Sequence, residues 1–247
     1  MTNQFLLMRI MIVLPLCGFL ASCQTAQHAQ RGSDDPLING FMHIATPSIS
    51  DAIDQVTGKR GYMSHEMRPV FPVKMCGRAV TVLAKPSTAK EPPTHALELI
   101  DTAPPGKVLV IVMDGPDGTD VAAFGGIMAT GSKMRNFAGA VLDGGCRDVV
   151  EIEELNFPVF TRSIVPTNSV GRYVTVSKNE PVVCGGVQVT PGDILVGDMD
   201  GVVAVPQEHA AEILRVAQEL EAKEAITTQS VKKLKSIRSA SQKHNRI

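Results

Sequence analysis

The run Val108-Leu109-Val110-Ile111-Val112-Met113 is continuously apolar, of strand length, and ends on the turn-rich Asp114-Gly115-Pro116-Asp117-Gly118. A strand with one solvated face alternates apolar and polar residues, so a run without alternation is buried on both faces. Such a strand belongs inside a sheet that is covered on each side, and helices cover parallel sheets. Around it the chain alternates helix and strand patterns from about Leu37. Ser48 to Val56 carries Ile49, Ala52, Ile53 and Val56 at helical spacing. Val80 to Ala84 reads as a strand ended by Pro86, and Thr94 as the cap of a helix through Ile100. A helix is expected from about Gly126 to Phe137 and a short strand from Ala138 to Leu142. Asp143 to Asp148 then reads as a glycine turn opening a helix through Leu155. Beyond Pro158 short strands follow, at Val159 to Thr161, Tyr173 to Val176, Val182 to Val183, Val187 to Val189, Ile194 to Val196 and Val202 to Val205. Pro206 to Ile226 is expected to be a long amphipathic helix.

Composition narrows the function. The 247 residues carry 24 Lys and Arg against 25 Asp and Glu, a formal charge of −1. That balance lacks the basic footprint that displaces counterions from nucleic-acid phosphates. With no Trp, two Tyr and eight Phe, the chain also lacks interleaved aromatics on which single-stranded bases stack. The five cysteines show no CxxC and no metal-finger spacing, and the histidines show no HxH or HExxH. A bound metal would therefore rely mostly on oxygen ligands. No GxGxxG follows a strand, and GxxxxGK[ST] and GxSxG are absent, so dinucleotide, P-loop and nucleophile-elbow chemistries lack support.

The N-terminus reads as an address. Ile10 to Leu20 is uncharged and preceded by Arg9, too short to span a bilayer but suited to the apolar region of a signal peptide. Leu20-Ala21-Ser22-Cys23 resembles a bacterial lipobox, whose Cys is lipidated after cleavage. Residues 1–23 are thus expected to be a signal peptide and 24–36 a linker. A membrane-anchored lipoprotein is favoured over a cytoplasmic protein whose start codon lies downstream. At the other end, residues 227–247 read as a basic, solvated tail.

The most informative segment is Gly125-Gly126-Ile127-Met128 followed by Gly139 to Glu151. Read alone, Asp148 and Glu151 form D-x-x-E at a helix start, a capping box. Read together, Gly126, twenty intervening residues, Arg147-Asp148, two more and Glu151 match G-x20-R-D-x2-E/D. In this the chain resembles the 4-hydroxy-4-methyl-2-oxoglutarate aldolase/RraA-like family, whose other branch includes a regulator of ribonuclease E activity. Ser50-Asp51-Ala52-Ile53, Cys76 to Val82, Pro158 to Arg162, Pro191-Gly192-Asp193 and Asp198 to Pro206 support the resemblance, which covers about residues 40 to 225.

The resemblance implies an α/β fold of the α/β/β/α sandwich (swivelling β/β/α) type over residues 37–226. It implies a homotrimer or hexamer with sites between subunits and a divalent cation, Mg²⁺ or Mn²⁺, held by Asp148. Arg147 would bind a small 2-oxo acid, and the backbone amides of Gly125, Gly126, Ile127 and Met128 would cradle its carboxylate. The glycine at 126, where many members carry an acid, leaves one fewer carboxylate to order water. The residue types suit the chemistry. Cleaving a C–C bond beside a ketone leaves an enolate, which a Schiff-base lysine or a Lewis-acid metal can stabilise. Lys85 and Lys107 sit at strand ends in solvated settings. One carboxylate plus waters and substrate oxygens is how Mg²⁺ is commonly held, and Arg147 adds a planar two-donor fork. The expected activity is a class II aldolase releasing pyruvate, with oxaloacetate decarboxylation at the same site. The alternative is a non-catalytic protein-binding regulator of the ribonuclease-inhibitor type. Asp198 and Asp200 fit hairpin chemistry as well as function, Asp51 a cap or a pocket wall, and Glu221 or Glu224 a neighbouring subunit's site. Cys146 fits a packing residue.

Overall fold

The computed structural model describes residues 35–244, which belong to one unit spanning 33–247. The apolar stretch Ile10 to Leu20, Cys23 and the linker as far as residue 34 lie outside the described residues. The chain begins with α1 (Pro36–Met42), α2 (Thr46–Thr57), β1 (Arg68–Pro69), β2 (Met75–Pro86), α3 (Thr94–Thr102) and β3 (Lys107–Met113). It continues with β4 (Ala122–Phe124), α4 (Gly126–Met134), β5 (Gly139–Cys146), α5 (Val149–Glu154), β6 (Val159–Ile164) and β7 (Tyr173–Lys178). The last elements are β8 (Val182–Cys184), β9 (Val187–Val189), β10 (Ile194–Asp198), β11 (Gly201–Val205), α6 (Ala210–Leu234) and α7 (Ile237–His244).

Strand β3 is central, as its apolar run requires, and Val108 to Met113 are all buried. It pairs in parallel with β2 on one side and β5 on the other, and β6 joins β5 in parallel. The sheet order is β1-β6-β5-β3-β2-β10-β11, with β4 added to β5 and β7 to β2. Its two ends approach each other. An NH1 of Arg68 on β1 donates to the carbonyls of Met199 and Asp200, and residues 61–63 pair with the free edge of β11. A Cβ on Gly197 of β10 would lie 2.6 Å from the Phe160 ring of β6, across the interior. The sheet is therefore a nearly closed barrel, with the β8–β9 hairpin packed into it.

Three apolar clusters define the layers. Leu109, Ile111, Ala140 and Leu142 meet Leu99, Ile100, Ala129 and Ile152 of α3, α4 and α5 outside one wall. Val108, Val110, Val141, Phe160 and Leu195 fill the interior. Ile194, Val196, Val203 and Val205 meet Ile49, Ile53, Ile213 and Ala217 of α2 and α6 outside the other. This is the α/β/β/α arrangement.

Several boundaries differ from the sequence reading. β5 runs through Asp143-Gly144-Gly145-Cys146, which had read as a turn. These glycines are required by close approach: a Cβ on Gly144 would lie 2.6 Å from the Met113 side chain, and one on Gly145 2.8 Å from the Val121 carbonyl. Thr94 does not cap α3; its hydroxyl turns back to the Pro92 carbonyl. α4 stops at Met134, just before left-handed Asn136, rather than at Phe137. Asp35 and Pro36, placed in the linker, cap and open α1. α6 begins at Ala210 and runs past Ile226 to Leu234, and α7 lies within the segment read as a solvated tail, with Ala240 buried.

Candidate active site

The site is built where β5 ends beside β4. The Arg147 amide donates to the Phe124 carbonyl at 3.1 Å, so the chain entering α4 and the chain entering α5 leave the sheet side by side. Asp148 then takes φ 58° and ψ 38°. This left-handed conformation is uncommon for a residue with a side chain. It turns the carboxylate away from α5, whose N-terminus it does not cap, and towards α4, where Oδ2 accepts from the Gly126 amide at 3.0 Å. The capping reading is thus corrected: Asp148 caps a helix, but not its own. The Arg147 Nε lies 3.5 Å from the same Oδ2, and both side chains are little more than a third exposed.

The two glycines make this approach possible. A Cβ on Gly125 would lie 2.7 Å from Asp148 Oδ2 and 3.0 Å from Arg147 Cγ. One on Gly126 would land on Glu151 Oε2. Glu151 therefore occupies the space that a side chain at 126 would claim. Sequence reasoning named Glu151 only as part of a spacing pattern and left it out of the site; that spacing was the available signal.

One amide of the cradle has also changed role: Gly126 N–H is spent on Asp148. The N–H groups of Ile127 and Met128 take no partner among the described residues, as expected of a helix's first turn. They point where a helix N-terminus favours an anion. The Oδ1 of Asp148 and the Glu151 carboxylate likewise take no hydrogen bond among the described residues. Two open carboxylates beside a guanidinium fit a hard divalent cation such as Mg²⁺, which takes one or two carboxylates and fills its remaining positions with water and substrate. No group of three or more His, Cys, Asp or Glu side chains suited to a metal occurs among the described residues, so no full protein cage is present there.

The other candidates separate cleanly. Cys146 is buried, and burial pushes its thiol up to about 12, leaving no thiolate to act as a nucleophile. Lys85 is exposed and paired with Asp114, not desolvated. Asp198 anchors α2, accepting from the Thr46 amide at 3.0 Å and the Thr46 hydroxyl at 2.6 Å. Burial pushes its carboxyl up, but these bonds, the Asp200 amide and the Lys74 charge outweigh burial and hold it below the usual value. Glu221 accepts from the Ala45 amide at 2.8 Å, at the same helix start. Asp51 is exposed on α2 and Asp200 lies in the β10–β11 turn.

The family model described as RraA-like, Aldolase/RraA, matches residues 46–204. A Halalkalibacterium halodurans protein named "Putative 4-hydroxy-4-methyl-2-oxoglutarate aldolase" is 33% identical over 193 residues, covering 75% of this chain and 83% of its own. A solved, uncharacterised protein from Pseudomonas syringae pv. tomato superposes with a TM-score of 0.73 at 27% identity, covering 83% of this chain and 96% of its own. Streptomyces coelicolor RraAS2, described as an unusual member of the RNase ES inhibitor RraA family, also gives a TM-score of 0.73. It is 27% identical and covers 80% of this chain and 98% of its own. The model match spans most of the chain and includes Gly126, Arg147, Asp148 and Glu151, so the chain belongs to the RraA-like (Aldolase/RraA) family.

Proposed function

We propose that this protein is a divalent-metal-dependent aldolase. It cleaves 4-hydroxy-4-methyl-2-oxoglutarate or a related 4-hydroxy-2-oxo acid to pyruvate, with oxaloacetate decarboxylation as a side activity. The observation that carries this reading is the convergence of Arg147, Asp148 and Glu151 on the open N-terminus of α4. The N–H groups of Ile127 and Met128 bind the substrate carboxylate, and the Arg147 fork holds the adjacent 2-oxo oxygen as negative charge grows on it. Asp148 and Glu151 hold the cation, Mg²⁺ or Mn²⁺. Bound there, it would supply Lewis acidity to the 2-oxo group. Aldol cleavage and decarboxylation both leave the enolate of pyruvate, so one set of donors serves both reactions.

The site lies open on the surface. Ile127, at its rim, is 88% exposed, and Val150 on the opposite rim is exposed too. Apolar rims of this kind fit a homotrimer or hexamer in which another copy closes the site. Purified protein should release pyruvate from a small panel of 2-oxo acids with Mg²⁺, and EDTA should abolish the release. Trapping of pyruvate by borohydride would instead indicate a Schiff-base lysine and refute the reading. A stoichiometric protein partner with no turnover of any 2-oxo acid would favour the regulator class. Among the described residues no helix is long and apolar enough to cross a membrane. Attachment to the cell envelope therefore rests in our reading on lipidated Cys23. Detergent partitioning of the native product, lost in Cys23→Ala, tests it.

A further inference from the structure

A cavity outside the Arg147–Asp148 loops gathers three arginines. It has a volume of about 640 Å³ and opens between the start of α2, residues 60–68, the Gly185-Gly186 turn of the β8–β9 hairpin and the β10–β11 turn. No residue of the Gly125–Met128 or Arg147–Asp148 segments lines it. Its volume falls in the range of small-molecule sites. Three arginines line it, and they are held in different ways.

Arg162, on β6, is paired within the protein. It donates from Nε to Glu66 at 2.9 Å and from NH1 to Asp143 at 3.0 Å, so its charge and most of its donors are satisfied within the protein. Arg60 and Arg68 are not satisfied in this way. Arg60 stacks on the Tyr62 ring, 4.4 Å from the centroid, and its Nε donates to the Tyr62 carbonyl at 2.7 Å. These two contacts fix the guanidinium plane and leave NH1 and NH2 facing away from Nε without a partner among the described residues. Arg68 is held by NH1 on the carbonyls of Met199 and Asp200, at 3.2 and 2.8 Å, which leaves its Nε and NH2 open. Neither arginine pairs with a carboxylate among the described residues.

A surface arginine normally gives up little by moving freely in water. Two guanidiniums held in place by neutral contacts, with charge-bearing edges unpaired, have already lost much of the freedom that ligand binding would otherwise cost. The planar donor edge left open on each matches an oxyanion. We infer that this cavity is a second ligand site, which takes a small molecule bearing a carboxylate or phosphate through Arg60 and Arg68. Among the described residues, Asp200 is the only acid lining the cavity, and its carbonyl already holds Arg68. Its carboxylate opposes an anion and sets the affinity from the other side. This site does not depend on the aldolase reading.

The test is calorimetric titration of the full chain with two probes separately, inorganic phosphate and malonate, which tell a phosphate from a carboxylate preference. At least one probe should bind saturably. Arg60→Gln, an exposed position, should weaken that binding about tenfold or more, and Asp200→Asn should tighten it. Arg147→Lys should leave it unchanged. Failure of both probes to bind, equal binding to Arg60→Gln, or loss in Arg147→Lys with retention in Arg60→Gln would overturn the inference. The last result would place the anion at the Arg147 site.

Discussion

Asp148 carries two demands that pull against each other. Its left-handed backbone costs a side-chain-bearing residue about 1–2 kcal/mol, and glycine would avoid that cost. Its carboxylate, however, caps α4 and faces the open edge of the site. Asp148→Ala should lower turnover at least about a hundredfold and stability by about 1 kcal/mol, and excess Mg²⁺ should recover little activity. Asp148→Gly should be as inactive but more stable than the alanine variant, as thermal unfolding would show. Arg147→Lys keeps the charge and loses the fork, so kcat should fall more than KM rises while metal binding persists. Gly126→Ala is a sharper probe of Glu151. The added Cβ displaces the Glu151 carboxylate without requiring a positive φ, so turnover should fall about tenfold with stability nearly unchanged. If both carboxylates served only as caps, all these variants would turn over normally. Asp198 supplies a structural contrast. Its carboxyl is held below its unfolded value, so its contribution is present above that value and lost as pH falls through the folded one. Asp198→Ala should cost about 1–2 kcal/mol near neutrality by removing the α2 cap, and the difference from wild type should shrink as acid protonates Asp198. Denaturant unfolding at several pH values checks this.

Elements whose sequence pattern and tertiary role coincide were legible. β3 is apolar throughout because both faces are buried, and α2 is amphipathic because one face packs on β10 and β11. β5 was legible only to Leu142. Its glycines resemble turn glycines in composition, and only the crowding by Met113 and Val121 shows that they serve a strand. Gly145→Val should therefore destabilise the protein by about 2 kcal/mol or more, because the added side chain meets Val165 Cγ2 and, at 2.8 Å, the Val121 backbone carbonyl, which cannot give. Denaturant titration measures it directly, and a neutral result would mean the β4–β5 approach is looser than described. The last two turns of α6 and all of α7 escaped because six basic residues without an acid look solvated, whereas Thr227 and Ala240 are buried. The site was legible as a spacing, but the cap was assigned to the wrong helix. A pattern of i to i+3 reports only local partners, and Asp148 bonds across twenty-two residues to Gly126.

At the scale of the whole molecule, alternation of helix and strand gave the class, and the family resemblance gave the layers. Closure of the sheet came from neither, since it depends on residues 61–63 and Arg68 reaching the edge of β11. None of Gly125 to Met128, Arg147, Asp148 or Glu151 lines the Arg60 cavity, so the two binding regions we propose do not share residues. We propose that Asp148 and Glu151 form a cation site beside Arg147. Binding of Mn²⁺, followed by electron paramagnetic resonance on the full chain, addresses it most directly. A single saturable Mn²⁺ per chain is expected, lost in Asp148→Ala, weakened in Glu151→Gln and kept in Arg147→Lys. Stoichiometric binding that survives Asp148→Ala, or no specific binding by the wild-type protein, would contradict it.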